Sequence, residues 1–171
     1  KCKGKWILQL DADEVVDQQL ATEIKQISKK DISKIEYAAF YIPRKNFFLG
    51  KWLQKTAQYP DPVIRFFKNG KAYLPCKSVH EQMEVEGKVG HLHGHLNHFP
   101  YPSFSEYLMK SNRYTTLDAK DMLSEPIKPS FFNFFKYYLK AEKTFWSLYL
   151  RHKGFMDGFP GFVFSLYSGI H

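Results

Sequence analysis

Near its start the chain carries Trp6-Ile-Leu-Gln-Leu10, a short apolar run with no alternation toward water, and Asp11-Ala-Asp13-Glu14 follows at once. Such a run suits a strand covered on both faces. It then ends on carboxylates, at the sheet edge where open α/β folds bind their ligands. Two aspartates one residue apart offer hard oxygen ligands to a divalent cation carrying a phosphate, although aspartate also serves as an ordinary turn and N-cap residue. The apolar strand before the pair and Glu14 directly after it favour the metal reading.

Downstream, Asp17 can cap a helix whose apolar positions Leu20, Ile24 and Ile27 fall on one face, ending around Lys29-Lys30-Asp31. Tyr37-Ala-Ala-Phe-Tyr-Ile42 predicts a strand stopped by Pro43. Positions 44–58 have no clear period and suggest a loop or short helix over a cleft. Val63-Ile-Arg-Phe-Phe67, Asn69-Gly70 and Lys71-Ala-Tyr-Leu74 predict a hairpin, because Asn-Gly supplies the positive φ angles of a tight reversal. Ser103 and Glu106 have the spacing of a capping box and open a second long helix. Two prolines in Glu125-Pro-Ile-Lys-Pro129 mark a boundary.

The net charge of +8 over 171 residues points to an anionic partner: nucleic acid, a membrane surface or a phosphorylated substrate. Cys2 and Cys76 are too few for a disulfide framework or a cysteine-based zinc site, so a reducing, cytoplasmic compartment is expected. No apolar run approaches the roughly 20 residues of a spanning helix, and no signal peptide opens the chain. The opening Lys1, a strand within a few residues of it, and an apolar segment interrupted at Gly169-Ile-His171 read as a fragment of a longer protein.

Trp6-Ile-Leu-Gln-Leu-Asp-Ala-Asp-Glu14, Val63-Ile-Arg-Phe-Phe67, Val79-His-Glu81, His98-Phe-Pro-Tyr-Pro-Ser103 and Gly154-Phe-Met-Asp-Gly-Phe-Pro-Gly-Phe162 together span nearly the whole chain. In these residues it resembles glycosyltransferase family 2 proteins of the GT-A fold, especially the branch of bacterial lipopolysaccharide-core β-1,4-glucosyltransferases. The resemblance implies an α/β fold: the C-terminal part of a Rossmann-like GT-A domain, without the N-terminal nucleotide-binding half. Residues 1–125 would be the catalytic and acceptor half, and 126–171 a helical aromatic and basic extension.

The same resemblance implies roles. Asp13 would touch a Mg²⁺ or Mn²⁺ ion that stabilises the departing diphosphate of a nucleotide-sugar donor, while Asp11 would join the metal sphere, hold the ribose or hold a metal-bound water. Glu14 braces the turn. Glu81 matches the position of the carboxylate that deprotonates the acceptor hydroxyl in inverting transfer, and its alternative is a solvated glutamate in an acidic stretch. His80 would orient Glu81 or contact diphosphate. His98 would complete the metal sphere or act as an ordinary hydrogen-bonding histidine. Arg65 either approaches the diphosphate or makes a structural ion pair, and Trp52 either lines the acceptor cleft or belongs to the core.

His91, His93 and His95 alternate, so on one strand they would share a face and could bind zinc, giving a zinc-dependent hydrolase as the rival chemistry. A non-catalytic membrane-binding module is the second rival. Segment 131–153 interleaves bulky aromatics with Lys136, Lys140, Lys143, Arg151 and Lys153, as an interfacial helix does, the alternative being a tail that packs on the missing N-terminal half or on a second subunit. The expected partners are thus a nucleotide sugar, a saccharide or glycolipid acceptor, and the inner face of the cell membrane in peripheral contact. Nothing resembles an RNA-binding motif, so nucleic acid is not expected.

Overall fold

The apolar run folds as a strand in the computed structural model, which describes residues 2–75, 83–101, 103–122 and 130–170, without the side chains of 118, 121 and 122. Along the chain the elements are β1 (Trp6–Leu8), β2 (Glu14–Val16), α1 (Gln18–Lys29), β3 (Tyr37–Phe48), β4 (Lys51–Trp52), β5 (Asp61–Lys68), β6 (Ala72–Tyr73), β7 (Glu84–Val85), β8 (Lys88–His91), β9 (Leu96–His98), α2 (Phe104–Met122), α3 (Phe131–Trp146) and α4 (Gly158–Ile170). They form two compact units, Lys1–Lys45 with Pro60–His98 and Asn46–Tyr59 with Phe99–His171. The fold is mixed α/β.

In the first unit the strand order is β1-β5-β3-β9-β2, with β8 alongside β3. The β1–β5, β5–β3 and β2–β9 pairs are antiparallel, and β8 runs parallel to β3. Leu20, Phe40, Ile42, Phe66, Leu92 and Leu96 make the core, onto which Trp6, Leu8, Ile24 and Ile27 pack. β1 is shorter than expected and only half-buried, because β5 flanks it on one side and it ends the sheet order among the described residues. It is not covered on both faces here.

Helix α1 forms as its sequence predicts. The Asp17 carboxylate accepts from the Leu20 N–H at 2.8 Å, a cap that contributes about 1 kcal/mol, and Leu20 is fully buried. Two other expectations are corrected. β3 runs straight through Pro43, which faces Pro62 across the β3–β5 ladder, so the two missing donors coincide. The turn at Asn69-Gly70 does form, with Lys71 N–H donating to the Lys68 carbonyl, but no hairpin follows. β5 is already paired on both edges by β1 and β3, so β6 pairs with β7 instead. Asn69 serves the other side of the turn: its N–H donates to the Lys5 carbonyl, and Nδ2 to the carbonyls of Cys2 and Gly4.

The histidine-rich segment bends after β8, and Gly94 lies against α1. A Cβ at Gly94 would stand 2.1 Å from the Leu20 nitrogen, so no side chain fits. The Gly94 and His93 N–H groups both donate to Glu23 Oε2.

In the second unit, positions expected to be irregular form a two-residue hairpin between β3 and β4, with Phe48 opposite Lys51. Leu49 and Gly50 take the positive φ values of 49° and 74° that such a turn needs. Leucine is a poor residue for that conformation, but Leu49 packs on the core of Phe48, Leu53, Tyr107 and Val163. Ser103 caps α2, its hydroxyl accepting from the Glu106 N–H as the capping box predicts. The boundary expected at 125/126 lies outside the described residues, and beyond it α4 contributes Val163 to this same core.

Between α3 and α4 the chain makes a π-helical turn (Ser147–Arg151) and a 3₁₀ turn (Gly154–Asp157). Asp157 is buried there and accepts from the N–H groups of Gln54 and Lys55, while its own carbonyl accepts from Lys51 Nζ. That clamp holds the following Thr56 and Ala57 in the left-handed region, at φ 53° and 57°. Gly161 is required because a Cβ would meet the Gly154 carbonyl at 2.1 Å. No described helix is long and apolar enough to cross a membrane.

Candidate functional site

The site grows from the end of β1. Gln9 N–H donates to the Arg65 carbonyl, which keeps the chain on β5 for one more residue before it turns. The turn is closed twice by Glu14: its N–H donates to the Asp11 carbonyl, and its Oε2 accepts from the Asp11 N–H at 3.2 Å. β2 then sets Glu14 directly opposite His98 of β9. This register brings Asp13 Oδ2 to 3.6 Å from His98 Nε2.

Two guanidinium groups from neighbouring strands face the acids. Arg65 of β5 donates to Asp11 Oδ2 and, at 3.1 Å, to Glu14 Oε1. Arg44 of β3 reaches the same Glu14 oxygen at 3.4 Å and binds Asp61 through Nε and a terminal nitrogen, at 2.9 and 2.6 Å. The Glu14 side chain is wholly buried between them, whereas Asp13 and Asp11 keep 35% and 48% of their side chains exposed. Arg65 Nε is buried with no hydrogen-bond partner among the described residues.

Burial, and secondarily the charge of Arg44, pushes the His98 imidazole below its ordinary value of 6.5, against a smaller opposing effect of Asp13, Glu14 and Asp61. His98 is therefore uncharged at neutral pH, and its contact with Asp13 is not a salt bridge there. In the ion pairs among the described residues, four carboxylates then face two guanidinium groups, two more negative charges than positive ones. That balance suits a divalent cation. No three His, Cys, Asp or Glu side chains among the described residues group closely enough to hold one alone. Asp13 and His98 are the two residues here that would supply ligands to such an ion, water and phosphate oxygens completing its sphere.

Of the residues singled out in the sequence, the fold brings Asp11, Asp13, Glu14, Arg65 and His98 together. Arg65 makes ion pairs with Asp11 and Glu14, and Glu14 braces the turn as expected. Trp52 lies in β4 of the second unit, edge-to-face with Tyr59 at 5.1 Å. His80 and Glu81 lie outside the described residues. The zinc triad is corrected: His91 stacks on Tyr41, His93 lies beside Glu23 and His95 beside Asp17, because the bend after β8 breaks the alternation that would have aligned them. Arg44 and Asp61 escaped notice in the sequence. Their only signal is a charged residue next to a proline in each of two strands, and that acquires meaning once the register sets them opposite each other.

No protein-family model and no solved structure matches the chain. It is 25% identical over 173 residues to the lipopolysaccharide core biosynthesis glycosyltransferase LpsC of Rhizobium meliloti, an alignment covering 100% of this chain and 62% of LpsC. Uncharacterized glycosyltransferases of Rickettsia typhi and Rickettsia prowazekii are 28% and 26% identical over 176 and 177 residues, each alignment covering 96% of this chain and 58% of the relative. The chain is thus similar over nearly its whole length to proteins named glycosyltransferases, and spans about three fifths of the length of those relatives.

Proposed function

We propose that the parent protein is an inverting, metal-dependent glycosyltransferase of family 2 with the GT-A fold, close to the lipopolysaccharide-core β-1,4-glucosyltransferases. It moves a sugar from a UDP-glucose-like donor to a lipid-linked saccharide of the cell envelope. The observation that carries this reading is the Asp13–His98 pair, set among the four carboxylates and two guanidinium groups of the ion-pair cluster. The similarity to LpsC favours a lipopolysaccharide acceptor.

Asp13 and His98 would hold Mg²⁺ or Mn²⁺, which when bound supplies Lewis-acid stabilisation of the diphosphate leaving group. Asp11, kept in place by Arg65 and the Glu14 brace, faces the donor from the same turn. Arg65 contributes positive charge beside the departing phosphates. Glu81 takes the proton from the acceptor hydroxyl as that oxygen bonds to the anomeric carbon and the diphosphate leaves from the opposite face, so configuration inverts. His80 orients Glu81, and Trp52 offers a ring to the acceptor sugar. Residues 1–125 belong to the catalytic domain and 126–171 to an extension in peripheral contact with the cytoplasmic face of the membrane.

The test is manganese-dependent turnover of UDP-glucose and related donors by the full-length protein. Asp13→Ala and Glu81→Gln should each lower kcat by at least about a hundredfold, the scale of a lost acid–base or electrostatic contribution. Turnover unchanged in both variants would sink the mechanism, whereas no turnover by the wild type would leave a non-catalytic membrane module as the better account.

A further inference from the structure

α3 presents an apolar surface that its own unit leaves uncovered. None of its 16 residues is buried. Exposure is greatest in the first turn, where Phe131, Phe132 and Phe134 are 84%, 76% and 68% exposed. This end is not a fraying terminus, since the Ser130 hydroxyl accepts from the Asn133 N–H and caps it. Single exposed apolar residues are ordinary on a protein surface; a contiguous aromatic patch marks an interaction site.

The packed side of the helix is identifiable. Gly169 of α4 lies against the Ala141 carbonyl and Phe145, whose ring also meets Phe162. At 100° per residue, Phe132, Phe135, Leu139 and Trp146 fall in a stripe about 60° wide on the opposite side. Lys136, Lys140 and Lys143 form one border of that stripe, roughly one turn apart. Glu142, the acid of the helix, bonds the Trp146 indole at 2.9 Å.

Aromatic rings bordered by a column of ammonium groups match the boundary between acyl chains and anionic headgroups. A buried protein interface would instead deplete the lysines. We propose that α3 docks lengthwise on an anionic lipid surface, with Phe132, Phe135, Leu139 and Trp146 entering the acyl boundary and Lys136, Lys140 and Lys143 meeting headgroup phosphates. This deepens the membrane contact in the functional reading above and rests on it for the acceptor's location, yet its test needs no sugar chemistry.

The test is co-sedimentation of the full-length protein with vesicles of phosphatidylglycerol and phosphatidylethanolamine, against vesicles of phosphatidylcholine. Wild type should favour the anionic vesicles, and the preference should shrink with added salt. K136E/K140E and F132S/F135S should each weaken binding at least about tenfold, with melting temperature little changed because none of these side chains is buried. If the phenylalanine variant folds poorly, the lysine variant decides. Equal binding by wild type and the lysine variant overturns the proposal, as does a wild type indifferent to lipid charge. Loss of self-association in the phenylalanine variant with vesicle binding intact would also overturn it, in favour of a contact between copies. Binding of UDP with Mn²⁺, measured without vesicles, separates the two readings: its absence in wild type defeats the transferase reading alone, and its persistence beside failed vesicle binding defeats the docking alone.

Discussion

Asp13 and His98 stand 3.6 Å apart because β2 and β9 pair Glu14 with His98, which places the last residue of the acidic turn beside an imidazole that burial keeps uncharged. A carboxylate and a neutral imidazole at that separation are the two ligands the proposed Mg²⁺ or Mn²⁺ would use. Asp13→Asn and His98→Gln in the full-length protein should each weaken Mn²⁺ binding at least about tenfold, read by calorimetry with UDP present. Unaltered binding in both would show that the ion sits elsewhere.

Glu14 is the hub of the ion-pair network. Glu14→Gln removes a wholly buried charge shared by Arg44 and Arg65 and should cost about 3 kcal/mol in urea unfolding. Asp61, a third exposed, holds Arg44 from the outer side, and Asp61→Asn should cost about 1 kcal/mol or less. Equal losses would refute the ranking by burial.

His98 also sets a pH dependence. Its folded value lies below 6.5, so the unfolded chain binds the proton more readily. Stability is then fully present above pH 6.5 and declines as pH falls from there toward the folded value. The His98→Gln variant should show a flatter loss across that window than wild type, measured as urea midpoint against pH. Cation binding should weaken only as pH falls through that lower folded value, because the protonated ring offers no lone pair.

In the second unit, Asp157→Ala leaves the N–H groups of Gln54 and Lys55 without their acceptor and releases the left-handed pair Thr56 and Ala57. A loss of about 2–4 kcal/mol is expected, the range for buried hydrogen-bond networks. Asp157→Asn retains one acceptor oxygen and should lose less, so a melting series of the two variants checks the cause.

Tyr107 gives the alkaline counterpart. Burial, helped by Tyr101, raises its hydroxyl to about 12 from 10.0. The folded chain holds that proton longer than the unfolded one, so stability should fall as pH rises above 10.0. Tyr107→Phe should remove that part of the decline without steepening it.

Local chemistry was legible in the sequence wherever it acts over one turn. Asp17 before an apolar period specified α1, Ser103 and Glu106 specified the start of α2, and the acidic motif pointed to Asp11 and Asp13, whereas His98 was singled out only by the family resemblance. Pairings between distant strands were not legible. Asn69-Gly70 carries a strong hairpin signal, yet β1 and β3 occupy both edges of β5, and that competition depends on segments far apart in the chain. Leu49-Gly50 carries almost no such signal, because the packing of Leu49 on its core offsets a poor backbone preference. Arg44, Asp61 and Glu14 meet across 17 and 30 residues, a coincidence that only register creates. The histidines misled because alternation was read as a strand where the chain bends.

Gly94 leaves no space for even a methyl group beside Leu20. Any replacement there would push the histidine-rich bend away from the capped start of α1, in the same unit whose β9 carries His98. The purified Gly94→Ala protein should accordingly melt at a lower temperature than wild type with every proposed ligand residue unaltered, so that a single methyl group decides the temperature at which the unit comes apart.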